Sequence, residues 1–220
     1  MSSLSTQKGL LPAGLSDILY PNAHTQSKII ENLLDIFSSY GYMLVKPPLV
    51  EYEETLLSNG PGKVLKDSTF RVMDPLSQKM LALRADVTAQ ISRIASTRLS
   101  HLPRPLRLSY SGDVLRVNGD SFNMERQKTQ VGAELIGPKS ELIDAEIILV
   151  CVKALKSINI DNLTIDINLP FLREYFLKGI SPPLKNTINQ YIDIKDKKSL
   201  KGLKLENLNI ISSAFCYFTF

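Results

Sequence analysis

Apolar residues return every three or four positions between Pro21 and Tyr40, at Ile29, Ile30, Leu33, Leu34 and Phe37. That spacing predicts an amphipathic helix, and Gly41 closes it. Tyr42 to Val45 reads as a short strand cut by Pro47-Pro48, with Leu49 to Glu51 extended beyond it. Glu53 to Ser58 reads as a helical turn before the loop Asn59-Gly60-Pro61-Gly62. Phe70 to Met73 and Met80 to Arg84 flank DPLSQK and predict a hairpin. Asp86 then opens a helix as its N-cap, with Val87, Ile91, Ile94 and Leu99 at helical intervals and Pro103 and Pro105 beyond its end. A second strong helix starts at Pro138-Lys139-Ser140-Glu141 and runs to about Ser157. Leu163 to Ile167 is a strand, Leu169 to Lys178 a short helix, and from Ser181 helices alternate with Lys-rich turns.

Between the two long helices lies RLSYSGDVLRVNGDSFNMERQKTQVGAELIG, Arg107 to Gly137. Arg107 to Val117 and Gln127 to Ile136 read as strands, and Asn118 to Arg126 as a polar turn. A period of two puts Lys128, Gln130, Gly132 and Glu134 on one face and Thr129, Val131, Ala133 and Leu135 on the other. Arg116 shares its face with Gly112 and Val114. If the strands pair, one face holds a guanidinium, an amide and a carboxylate around two glycines. Two readings stay open: a sheet face that meets water, or a cup with room and charge for a small zwitterion. Asp86 likewise reads as a helix cap, a ligand contact or both. Arg84 reads as a support of the sheet or the helix, Tyr110 as core and Arg126 as solvated.

At 220 residues, 44% hydrophobic and 22% charged, the chain suits one large domain or a domain with an appendage. The formal charge of +4 is scattered apart from Lys195 to Lys204, so nucleic acid is not demanded as a partner. Cys151 sits in AEIILVCVKAL, where a buried inert thiol is expected. With two cysteines, two histidines and no CxxC spacing, neither a metal nor a cofactor is expected. No apolar run reaches membrane-spanning length, and no signal peptide is seen, so a cytoplasmic location is expected. After Glu206 the tail NLNIISSAFCYFTF carries no charge. It reads either as a buried strand or as the point at which a larger domain is cut short.

LLPAGLSDILYP, YGYMLVKPPLVEYEETLL, LALRADVTAQISR, PRPLRLSYSGDVLRV and ERQKTQVGAELIG together resemble the core of class II aminoacyl-tRNA synthetases. The resemblance is strongest to the histidyl branch. It is stronger still to that branch's non-synthetase relatives, the regulatory subunits of ATP phosphoribosyltransferase, and it covers most of residues 10 to 205. It implies an α+β fold, a class II synthetase-like antiparallel sheet flanked by helices and incomplete at the C-terminus. Residues 1–178 would form the first part of that core, and 179–220 a partial helical insertion and tail.

The resemblance also implies roles in a histidine pocket. LRADVT stands where the family has LRPEGT, which places Asp86 and Thr88 at the ligand's ammonium. Arg116 matches the motif 2 arginine near the carboxylate. Gln130 matches a contact to the ammonium, and Glu134 a contact to the imidazole. Asn118 stands where synthetases carry an ATP-holding acid, Gly119 stands where histidyl enzymes commonly carry a base, and no counterpart of motif 3 is found. The implied protein is a non-catalytic subunit that binds histidine as effector and assembles with the catalytic, short-form ATP phosphoribosyltransferase. A histidyl-tRNA synthetase, or a fragment of one, is the alternative.

Overall fold

The computed structural model describes residues 11–57, 62, 65–119, 124–167, 174–175, 177–194, 196–203 and 216–219. The expected loop at 59–61, most of the expected helix from 169, and most of the uncharged tail lie outside the described residues. The chain divides into two compact units, Met1–Ile160 and Asp161–Phe220.

In the first unit, α1 (Asn22–Ser39) is followed by Gly41 at φ +79, a left-handed turn that glycine adopts without strain. The chain then enters β1 (Met43–Leu44). A small antiparallel sheet follows, built from β2 (Val50–Tyr52), β3 (Arg71–Met73) and β4 (Met80–Leu83), with β4 in the middle. Between β2 and β3 come α2 (Glu53–Leu57) and a 3₁₀ turn at Lys66–Ser68. The helix expected at Asp86 is α3 (Thr88–Thr97), which begins two residues after it.

The expected hairpin is present: β5 (Leu106–Leu115) and β6 (Gln127–Ile136) pair antiparallel from Leu106 opposite Ile136 to Leu115 opposite Gln127. β1 joins the other side of β5, and it runs parallel to it. The central sheet is therefore mixed. The route from β1 to β5 passes through the small sheet and α3, long enough to bring the chain back in the same direction. Last in this unit is α4 (Glu141–Ser157), capped by Ser140, whose side chain accepts the Leu142 N–H.

The register places the apolar residues of the two hairpin strands on opposite faces. On the even face, Leu106, Leu108, Tyr110 and Val114 of β5 pack with Val87, just before α3, and with Ile91 and Ala95 of α3. Their cross-strand partners there include Glu134, Gly132 and Lys128. On the odd face, Val131, Ala133 and Leu135 of β6 pack with Leu33, Leu34 and Phe37 of α1 and with Ile147, Val150 and Ala154 of α4. Each face of the hairpin is thus half apolar and half polar, and helices pack on both. Burying a side chain such as Ile91 or Leu108 stabilises by about 1.5–3 kcal/mol, so both helical layers hold the hairpin in register. β6 from Lys128 to Ile136 is half-buried throughout, neither fully wet nor fully covered.

The second unit pairs β7 (Thr164–Ile167) with β8 (Cys216–Thr219), antiparallel. Its helices are α5 (Pro182–Asp193) and α6 (Lys197–Gly202), the latter capped by Asp196. Leu177, Ile188, Ile192 and Leu200 form its core. Among the described residues, no helix is long and apolar enough to cross a membrane. Nor does any group of three or more His, Cys, Asp and Glu side chains there have the spacing to hold a metal ion.

Candidate ligand-binding site

The site forms where the chain leaves β4, turns through Ala85 and Asp86, and starts α3 beside β6. Arg84 braces this turn. It is 6% exposed; its Nε donates to the Asp113 carbonyl at 2.6 Å and its Nη1 to the Pro47 carbonyl at 3.0 Å. Its guanidinium lies over Gly112, where a Cβ would come within 2.2 Å of Nη2. Glycine at 112 therefore makes room for the brace rather than for a ligand. Further backbone bonds, Arg84 N–H to Leu49 and Leu115 N–H to Arg84, join the small sheet to the end of β5.

Four of the expected residues meet in one network. Gln130 Oε1 accepts the Val87 N–H at 3.0 Å, and its Nε2 donates to Asp86 Oδ2 at 3.0 Å. The other oxygen of Asp86 accepts the Thr88 N–H at 2.7 Å, but the N-cap position of α3 is Val87, so Asp86 is not the cap expected of it and stands one residue before that position, facing the sheet. Thr88 Oγ1 donates to Glu134 Oε1 at 3.0 Å. Neither Asp86 nor Glu134 has an ion-pair partner among the described residues. Burial pushes the Glu134 carboxyl above its ordinary value; the Thr88 hydroxyl opposes that shift and the Asp86 charge adds to it.

The fifth, Arg116, stands just past β5, its Nε donating to the Ala85 carbonyl at 3.2 Å, one residue before Asp86. It lines a cleft of about 240 Å³ with Val114, Glu125, Arg126, Lys128, Thr129 and Gln130. Gln130 belongs to both the cleft and the network. The arrangement thus runs from an acidic end at Asp86 and Glu134, through the Gln130 amide, to a net basic end where Arg116, Arg126 and Lys128 outnumber the one carboxylate, Glu125. A zwitterion has the complementary order of charges.

Tyr110 is core as expected, and its hydroxyl also reaches the network, 3.5 Å from Gln130 Nε2. Its parity with Gly112 was the available signal; without the register nothing tied it to Gly132. Two other expectations need correction. Arg126 is half-buried and held rather than free in solvent: its backbone N–H donates to the Gly14 carbonyl at 2.7 Å, Nη1 to the Ala13 carbonyl at 3.2 Å, and its guanidinium lies over Phe70 at 4.6 Å. Cys151 is exposed on α4, because Val150 and Ala154 turn the helix's inward face away from it.

Comparison with known proteins adds to this geometry. The chain is 50% identical over 169 residues to an ATP phosphoribosyltransferase regulatory subunit of Rhodospirillum centenum, a match spanning 77% of this chain and 44% of that one. It is 44% identical over 198 residues to the protein of that name in Paramagnetospirillum magneticum, across 89% and 52% of the two chains. The chain spans about half the length of the curated relatives it matches. Two solved structures share its fold. One, described as an ATP phosphoribosyltransferase regulatory subunit/histidyl-tRNA synthetase from Bacillus halodurans, gives a TM-score of 0.76 at 23% identity over 94% of this chain and 54% of that one. A histidyl-tRNA synthetase from Nostoc gives 0.74 at 21% identity over 92% and 48%. The family model described as histidyl-tRNA synthetase matches residues 14–213, and the chain belongs to that family.

Proposed function

We propose that this chain acts as the non-catalytic regulatory subunit of ATP phosphoribosyltransferase, sensing histidine for the first step of histidine biosynthesis in the cytoplasm. One observation carries the reading: the two-carboxylate network of Asp86, Thr88, Gln130 and Glu134 shares Gln130 with a cleft lined by Arg116, Arg126 and Lys128. The names of the curated relatives support the same role.

In this reading Asp86 and Gln130 receive the ligand's ammonium, Arg116 its carboxylate and Glu134 its ring N–H. Asn118 and Gly119 supply neither the acid nor the base that an adenylating site needs, and Arg126 is engaged by the N-terminal segment. Adenylate chemistry depends on cations fixed where phosphate charge develops, so catalysis by this chain is not expected. Regulation would instead be a coupling free energy, with histidine favouring one arrangement of the complex with the catalytic, short-form subunit over another.

Calorimetry of histidine with that complex tests the reading. Saturable binding that Glu134→Ala abolishes supports it; equal affinity in both rules out the cup. A synthetase is the second reading, favoured by the shared fold with the Nostoc enzyme. Histidine-dependent ATP–pyrophosphate exchange would establish that one and sink the first.

A further inference from the structure

Gln90 lies in the first turn of α3, 0% exposed, with its whole side-chain amide bonded inside the protein. Its Nε2 donates to the Pro48 carbonyl at 2.8 Å and to Glu51 Oε1 at 2.9 Å, and its Oε1 accepts Arg84 Nη1 at 3.4 Å. Glu51, its side chain 8% exposed, also receives Arg93 through Nε at 3.0 Å and through Nη2. With the bond from Arg84 Nε to the Asp113 carbonyl, one chain of hydrogen bonds runs from Arg93 through Glu51, Gln90 and Arg84 to β5. None of the bonds made by the Gln90 side chain goes to a residue of the cup.

What this chain of bonds holds is the turn that carries Asp86. Both ends of the turn are pinned to the same stretch, Pro47 to Glu51. Arg84 is tied to the Pro47 carbonyl by Nη1 and to the Leu49 carbonyl by its backbone N–H, and α3 is tied to Pro48 and Glu51 by Gln90. Between the two pins stand Asp86 and Val87, which meet Gln130, and Thr88, which meets Glu134. An apolar side chain of similar size at 90 would fill the volume but leave the Pro48 carbonyl without this donor. It would also loosen the turn, because a fully bonded buried amide fixes one arrangement where apolar packing of the same volume tolerates several.

We propose that Gln90 is a positioning residue of the cup: it pins the first turn of α3 to the Pro47–Glu51 stretch and so sets where Asp86 stands against Gln130. This rests on the reading of the cup as an amino-acid site in which Asp86 meets the ligand's ammonium. The test titrates L-histidine and imidazolepropionate, which has the ring and the carboxylate but no ammonium, into the complex carrying wild type, Gln90→Met or Gln90→Glu. Met removes every bond of the amide; Glu keeps its shape and its acceptor and loses both donors. Wild type is expected to prefer histidine. In each variant histidine affinity falls by about tenfold, the size of one hydrogen bond to a charged group, while affinity for imidazolepropionate stays, so the preference narrows. Melting curves identify any variant that fails to fold, and the other then decides. In an Asp86→Ala protein, the same change at 90 is expected to weaken histidine no further, because the group it places is gone. Wild-type affinity and preference in the Gln90 variants, an equal loss for both ligands, or a further loss on top of Asp86→Ala overturns this proposal alone. A wild type that binds no histidine, or binds both ligands alike, overturns it together with the cup proposed above.

Discussion

Two glutamates flank the central hairpin on opposite faces, and they live under opposite conditions. Glu146 of α4 receives both Arg107 Nε at 2.6 Å and Nη2 at 2.7 Å, and the Tyr42 hydroxyl at 3.3 Å. The Arg107 guanidinium holds its carboxyl below the usual range. Glu134 of β6 receives a neutral donor, the Thr88 hydroxyl, faces Asp86, and is raised by burial. A paired carboxylate is a staple that helices use to hold a sheet. One that stays half-buried beside a second carboxylate, with no cation from the described chain, is the kind of perturbed group that the proposed function would use for a ligand's N–H donor. Under the function proposed above, the contrast separates a face held by an ion pair from a face that would receive the ligand, and it can be broken experimentally.

The strongest blow falls on what both faces share. Leu108 is 0% exposed and sits opposite Glu134 in the register, under α3. Leu108→Ala is expected to cost about 2–5 kcal/mol, the range for deleting a fully buried leucine, read as a lower urea midpoint at unchanged slope. A loss under about 1 kcal/mol would mean that β5 is not the foundation of both sites.

Next come the two glutamates themselves. Glu134→Gln is expected to weaken histidine binding by about 10- to 100-fold, since it replaces a charged acceptor worth about 1.5–3 kcal/mol, while leaving the melting temperature unchanged or higher. Glu146→Gln is expected to leave affinity alone and to lower stability by at most about 1 kcal/mol, because the Arg107 pair is part-exposed. Calorimetry and melting on the same two proteins decide it. An affinity loss in Glu146→Gln equal to that in Glu134→Gln would erase the contrast.

How far the sequence carried this picture follows from what each residue depends on. Glu134 and Gln130 were legible because alternation along one strand needs no partner. Asp86 was legible in part: its bond to the Thr88 N–H is local, but the N-cap position itself falls on Val87. Tyr110 was half-read: its burial follows from composition, but its hydroxyl's role depends on lying opposite Gly132, and register is a tertiary quantity. Arg126 was misread because its partners, Ala13 and Gly14, lie more than a hundred residues earlier. Cys151 was misread because α4 is apolar around most of its circumference, so periodicity does not say which side faces the sheet. The parallel pairing of β1 was hidden in a two-residue strand.

The smallest effect separates the glutamates by pH. The folded-state pKa of Glu134 is raised above its unfolded value. The folded protein then binds more protons than the unfolded chain between those two values, and stability falls as pH rises through that window. That of Glu146 is lowered, so its contribution is present above the unfolded value and is lost as pH falls through the folded one. Removing Glu134 with Gln should therefore flatten the decline of stability on the alkaline side of pH 4.5, the ordinary glutamate value. Removing Glu146 should flatten the acid-side loss below it. Urea midpoints measured across pH 3–7 resolve both slopes. Identical curves for the two variants would mean that the two carboxylates share one environment, and the division of labour between the faces would fall.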